Sequence, residues 1–368
     1  MQIYNQTPCL HEFTMGLDKT GREYLSLVVK GTFAFPDTPG QVAEPAEAQR
    51  PLVMADEPMG APGFSATLWE TDFAFRKARC DVVLQGAAYV PGGRPADRVR
   101  VGLKVGAWSK QFDVVGQREW RVLGPSVVAT KPFPFTRQPF SYGTAFGGVD
   151  RLDPDDPAPP AYADNPVGTG FADPRHQARL SGLPLPNTEL PGQEVTSPYG
   201  AYRPMAFGPI GRGWPERLRY AGTYDQNWID NIFPFLPADF DERYFQMAPA
   251  DQQIEFPLAG TEVILGNLTT RGREAFRLPE TRLPIKIWRG DAVCLDTQTL
   301  PDTVIFDPEA RVVMLVWRVW VRMLKIITEF SEAWIGPPTA AMLRARAEGR
   351  SYVRVPATVG TDDEDADA

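Results

Sequence analysis

Apolar and polar residues alternate with a period of two over much of the first half of the chain. In GREYLSLVVKGTFAF, residues Leu25, Leu27, Val29, Phe33 and Phe35 share one parity. In DRVRVGLKVGAW, residues Val99, Val101, Leu103, Val105 and Ala107 alternate with Arg98, Arg100 and Lys104. Alternation of this kind puts one face of a strand in a core and the other in water. RCDVVLQGAAYV precedes the second stretch across the turn PGGRPAD, and KQFDVVG and REWRVL follow at the short intervals of a sandwich. The pattern over 1–149 predicts an antiparallel β region, folded as a β-sandwich or as strongly twisted sheets.

The pattern breaks at Asp150. Ten prolines fall in the 49 residues from Asp150 to Pro198, and proline, lacking an amide donor and fixed in φ, excludes regular helices and central strands. Yet Tyr162, Phe171, Leu180, Leu183, Leu185 and Leu190 lie in the same stretch, richer in bulky apolar groups than a disordered linker. An ordered segment wrapping the body is expected for its second half, with mobility around 153–160.

From 199 to 322 the chain carries an aromatic loop block and then further strands. The block, YAGTYDQNWIDNIFPFLPADFDERYFQMAPADQQI, contains Tyr224, Trp228, Phe233, Phe235, Phe240, Tyr244 and Phe245. Asp225 is placed to cap a helix QNWIDNI with Trp228, Ile229 and Ile232 on one side. Asp239 or Asp241 is placed to start a turn through ERYFQM, and Pro234, Pro237 and Pro249 stop each piece. TEVILGNL, LPIKIWRG and DAVCLDTQTL read as strands, and TVIFDPEARVVMLVWRVWV as a hairpin turning at DPEA. Beyond it, 323–360 is expected to be a helical extension, weakly in LKIITEFSEAW and better in PTAAMLRARAEG, where Pro338 opens and Gly349 stops the helix. Residues 361–368 read as a disordered acidic tail.

Composition removes several classes. In 368 residues, 43% hydrophobic and 23% charged, there is material for a large core. The most apolar run, at 312–319, contains Arg318 and follows Arg311, so it suits a strand; nothing spans a bilayer. The first residues lack a basic segment followed by a long apolar one, so a cytoplasmic address is expected. Cys9, Cys80 and Cys294 are few and far apart, which argues against a disulfide framework or a local zinc site. Five charges of the net −8 come from TDDEDADA, leaving −3 on the rest. A body without a basic cluster is unsuited to nucleic acid.

Catalytic chemistry is poorly supplied. His11 and His176 are the only histidines, and no serine sits in a glycine-flanked elbow. His176 is expected at the surface rather than as a metal ligand. The glycine clusters YGTAFGG and GPIGRGW lack the context of a phosphate-binding loop, and turn-making is the expected use. Neither a cofactor nor a metal is expected. The remaining enzymatic idea is a carbohydrate-active or glycan-binding site, with Asp225, Asp230, Asp239, Asp241 and Glu242 as acids and Trp228 and Tyr244 as sugar platforms. Helix capping explains most of those acids equally well. As for the rings, a mixture with Trp228 and Phe245 inside and some of Phe233, Phe235 and Tyr244 at a groove suits a protein-binding module.

The succession YGTAFGGVD, NPVGTGF, LPNTE, FGPIGRGW, PERLRYAGTYDQNW, FPFLPADFDERYFQMAPADQQ and PDTVIFDPEARVVMLVWR resembles the family catalogued as domain of unknown function 2169. The resemblance runs in order from about residue 20 to 322 and is most specific at 214–253. Members are encoded beside bacterial type VI secretion effectors and their spike proteins. The resemblance therefore implies a non-enzymatic adaptor or chaperone that binds a toxic effector and loads it onto the spike or tip complex. It carries no catalytic residues over. On this reading the client site is framed by Tyr224, Trp228, Phe233, Phe235 and Tyr244, joined by Arg212, Trp214 and Arg217.

Overall fold

A computed structural model of the chain describes residues 1–350 and Tyr352. The fold is mainly β, built from three principal sheets with long ordered loops and a few short helices. The largest, seven-stranded sheet runs in the order Gln253–Ile254, Cys80–Leu84, Thr303–Asp307, Val312–Arg322, β3 (Glu23–Ala34) and β2 (Leu10–Leu17), with Glu44–Pro45 beside β3. The five-stranded sheet joins Thr188–Glu189, Trp108–Val115, Arg98–Val105, Glu262–Gly266 and Arg273–Arg277. In the four-stranded sheet, β1 (Gln2–Asn5) is followed by Phe330–Ile335, Leu283–Arg289 and Ala292–Thr299. Strands from both ends of the chain thus complete the same sheets.

The predicted alternation fixes the inner face of the large sheet. Leu25, Leu27 and Val29 of β3 and Trp317, Val319 and Val321 of its neighbour are buried in one core with residues of the other two sheets, among them Val101, Leu103, Ile285 and Ile287. Fully burying such a side chain stabilises by ~1.5–3 kcal/mol. The expected hairpin is present, with Asp307 facing Val312 and Arg311 at positive φ in the turn.

The other face of β3 is also covered. Val28, Met314 and Val316 pack against Val83, Met247 and Ala248, and between them lie charges. Lys30 meets Asp72 at 2.9 Å and Lys77 meets Asp81 at 2.6 Å, with all four side chains nearly out of water. Arg318 pairs with Asp302 in the same layer. Buried charges are tolerated only when paired and hydrogen-bonded, and Asp81 is: it also accepts from Gln246 Nε2 at 2.8 Å and the Met247 amide at 2.9 Å. That carboxylate ties the aromatic block to the sheet.

The proline-rich segment wraps as expected and has its own small core, in which Phe146, Ala172, Leu180, Leu185 and Val195 close over Trp120. The Trp120 indole donates to the Gly170 carbonyl at 3.0 Å. The cluster YGTAFGG clasps this segment: a Cβ on Gly147 would lie 2.2 Å from the Asn165 carbonyl oxygen. His176, expected at the surface, is instead mostly buried and bonded through Nδ1 to the buried Asp150 at 2.8 Å. Residues 153–160 are held largely by local turns, such as the Asp155 amide on Asp153 Oδ1 at 3.2 Å and the Ala158 amide on Asp156 Oδ1 at 2.9 Å.

One helix expectation is corrected. Phe330–Ile335, which takes up the second half of LKIITEFSEAW and the next residue, is a central strand, paired parallel with β1 and antiparallel with Leu283–Arg289. Ile326, Ile327 and Thr328 are β-branched and disfavour helix, while Phe330, Ala333, Trp334 and Ile335 gain burial. The other predicted helix is α3 (Ala340–Ala347), capped by Thr339, with Met342 buried against Trp288 and Trp334. The acidic tail, 361–368, and most of 351–360 lie outside the described residues. Among the described residues no helix is long and apolar enough to cross a membrane.

Candidate protein-binding surface

The aromatic block folds as α1 (Pro215–Leu218), α2 (Gln226–Asn231) and a 3-10 turn at Glu242–Phe245, each punctuated by the prolines. Asp225 accepts the Trp228 amide at 2.8 Å, the predicted N-cap, and Asp241 caps the second turn through the Arg243 amide at 2.9 Å. Both caps satisfy amides that have no partner within the helix.

The block has a buried base. Arg217 is 2% exposed. Its guanidinium donates to Glu70 Oε1 at 2.9 Å, to the Ile210 carbonyl at 2.9 Å and to the Tyr244 carbonyl at 2.8 Å. One side chain thus joins three loops. Trp214 is buried edge-on to Tyr142, ring centres 5.2 Å apart. Arg212 is partly buried and bonds Asp56 at 2.7 Å and Glu70 at 3.1 Å. Burial alone would lower its pKa, but the bond to Asp56 and the charge of Glu70 outweigh that and raise it. The expectation that Trp214 and Arg217 face a partner is corrected: they hold the block together from inside, because an arginine can be buried only where its donors are all used.

Beside the base lies a cavity of about 320 Å³ lined by Lys110, Tyr142, Arg203, Trp214, Glu216 and Asp251. Lys110 Nζ is buried 3.0 Å from Asp251 and 2.6 Å from Gln252 Oε1. Burial pushes its ammonium down to about 8, despite the charge of Asp251.

The rim is different. Tyr224, Ile229 and Phe233 are 52%, 55% and 66% exposed, and Phe235 is exposed as well. Trp228, expected inside, is half-buried: Tyr224 and Phe233 meet its ring edge-on at 4.8 and 5.5 Å, and its indole donates to the Phe235 carbonyl at 2.9 Å. Phe245 and Tyr244 are also half-buried, and the fully enclosed ring is Phe240. Phe235 rests on Gly21, whose φ is +73° and where a Cβ would come within 3.0 Å of the ring. The structure therefore brings Tyr224, Trp228, Phe233 and Phe235 together and separates them from Arg212, Trp214 and Arg217.

Each acid of the stretch has a local partner. Besides the two caps, Asp239 accepts the Thr223 amide at 3.0 Å and its hydroxyl at 2.8 Å. Asp230 accepts Gln226 Nε2 at 2.9 Å, and Glu242 pairs with Arg76 at 2.5 Å. The Thr223 amide holds Asp239, and the Arg243 bond holds Asp241, below the usual carboxylate range.

The sequence reading missed one neighbour of the rim, the strand β2. It is the outer strand of the large sheet, hydrogen-bonded among the described residues to β3 alone, and Leu10, Phe13, Met15 and Leu17 are exposed on it. The alternation of Phe13, Met15 and Leu17 in HEFTMGL was the available signal.

Together these features define a mainly β protein whose loops carry a buried ionic base and an exposed aromatic rim. The chain belongs to the family described as an uncharacterized protein conserved in bacteria (DUF2169), whose model matches residues 20–318. No curated protein matches the chain, and no solved structure does.

Proposed function

We propose that this protein is a non-enzymatic adaptor of bacterial type VI secretion. In the cytoplasm it binds a toxic effector and helps deliver it to the spike or tip complex before export. The observation that supports the reading is the rim: four neighbouring aromatic rings, Tyr224, Trp228, Phe233 and Phe235, three of them exposed, on a base fixed by Arg217 and Glu70. Clustered aromatic side chains on a rigid support are the usual energetic anchors of protein interfaces, and presenting them preformed limits the ordering cost of binding. A glycosidase would need two facing carboxylates free to act on a sugar, whereas the acids here are engaged in caps and bonds to the protein itself.

The test is co-expression with candidate type VI effector and spike proteins of the same bacterium. Co-purification with either, weakened by Phe233→Asp combined with Tyr224→Ala, supports the reading. A folded protein that retains neither, or that turns over a glycan, refutes it.

A further inference from the structure

We propose that the free edge of β2 is a docking site for an extended segment of another protein, added antiparallel as a further strand, with apolar side chains alternating along it and acidic residues leading it. The inference rests on the reading that this protein grips another polypeptide, and it names where and how.

Three observations carry it. β2 has eight residues, and its register against β3 runs unbroken from Leu10 opposite Lys30 to Leu17 opposite Glu23. Strand edges left in water are normally blunted by lysine, proline, a bulge or shortness; β2 has none of these, and one charge, Glu12. Next, Phe13 and Met15 sit opposite Leu27 and Leu25, on the face that forms the main core, yet they are 39% and 56% exposed. The apolar core face therefore runs past its cover and out to solvent along an open edge. An added strand would pair the backbone and cover these side chains, as in strand addition generally.

The third observation selects the occupant by charge. At the hairpin end of β2 stand Lys19, Arg22, Arg322 and Lys325, all exposed, and none is in an ion pair among the described residues. Register places them together: Arg322 lies opposite Tyr24, and the Met323 amide bonds the Glu23 carbonyl at 2.9 Å. Of the nearby acids, Asp18 is committed to the amides of its own turn, at 2.8 Å to Thr20 and 3.1 Å to Arg22. Glu329 is committed to the amides of Leu324 and Lys325 at 2.7 and 3.0 Å. Glu329 is paired with Arg289, and Asp241, near Lys19, with Arg243, so Asp18 and Glu23 remain against four cations and the end of the strand is net positive. Antiparallel pairing is the more stable arrangement, so the segment's N-terminal end would meet this charge. Phe235, seated on Gly21 in the same turn, makes the edge continuous with the rim.

The experiment uses the full chain and a fluorescein-labelled synthetic peptide with leading aspartates followed by alternating valine and threonine. Saturable binding by anisotropy is expected, together with slowed hydrogen exchange of the Leu10–Leu17 amides in the unmodified protein. Met15→Lys should weaken binding by about tenfold or more, the equivalent of ~1.4 kcal/mol. Lys19→Glu with Arg22→Glu should shift preference to a peptide with leading lysines. The proposal is overturned by absence of binding, by binding that leaves the β2 amides unprotected, or by indifference to the charge reversal. It is equally overturned if the free chain dimerises through β2, the edge then belonging to a second copy. Should Met15→Lys still retain a co-expressed effector at full strength, the adaptor reading stands and the edge proposal falls. Peptide binding without any effector capture has the opposite meaning.

Discussion

The base and the rim of the aromatic block are made from the same kinds of residue within one short stretch, yet they behave as opposites. Trp214, Arg217 and Phe240 are buried, and every charge among them is paired. Tyr224, Ile229 and Phe233 face water, and the two rings among them lean on Trp228. The contrast teaches that an aromatic-rich loop can be scaffold and contact surface at once. The scaffold part is where substitution costs stability, and the surface part is where it costs binding.

The largest effect is expected at the base. Arg217→Ala takes the two-pronged partner from the buried Glu70, leaving it Arg212 alone, and strips the Ile210 and Tyr244 carbonyls of their donor; a loss of about 3 kcal/mol in urea unfolding is expected. Pairing it with Glu70→Leu should recover part of that loss, because the under-compensated buried carboxylate is then gone while Arg212 keeps Asp56. If Arg217→Ala unfolds like the parent chain, the base is not what holds the block.

Next comes a pH effect from the cavity beside the base. Unfolded, Lys110 keeps its proton to about pH 10.4; folded, it releases it near about 8. Between those values the unfolded chain binds more protons, so this group makes stability rise as pH climbs from about 8 towards about 10. The gain is at most about 3 kcal/mol, and it should vanish in Lys110→Met. Comparing urea midpoints of the two proteins across that window isolates the group from other titrations.

Smaller effects mark the approach to the rim. Asp225→Ala removes the cap of α2 and should cost about 1 kcal/mol, while Asp225→Ser should restore most of it. Smallest of all, Phe233→Ala should change stability by no more than about 0.5 kcal/mol and yet reduce effector capture in co-purification. A large stability loss there would make the rim part of the scaffold and erase the distinction.

How much of this was legible differs by element. The helix at α2, the caps of Asp225 and Asp241 and the hairpin at Asp307 all follow from residues within a few positions of one another. The strand Phe330–Ile335 was misread because its burial comes from β1 and Leu283–Arg289, which flank it from far away in sequence. Of the candidate site residues, Tyr224, Phe233 and Phe235 are exposed as a contact surface requires, and Trp214 and Arg217 are not. Nothing local separates the two groups, since a tryptophan or arginine beside glycine and proline suits either place.

The sequence by itself determined the strand periodicity, the stops and caps, and an acidic chain with few histidines, because these depend on side-chain parity, local hydrogen bonds and composition. Tertiary structure decided which aromatics were enclosed, which strand was left with an open edge, and that the far face of the main sheet would be sealed by ion pairs. The physical reason is distance along the chain: Lys30 finds Asp72, Arg318 finds Asp302 and Arg217 finds Glu70 only after folding. A charge can leave water only where its opposite has been brought to meet it.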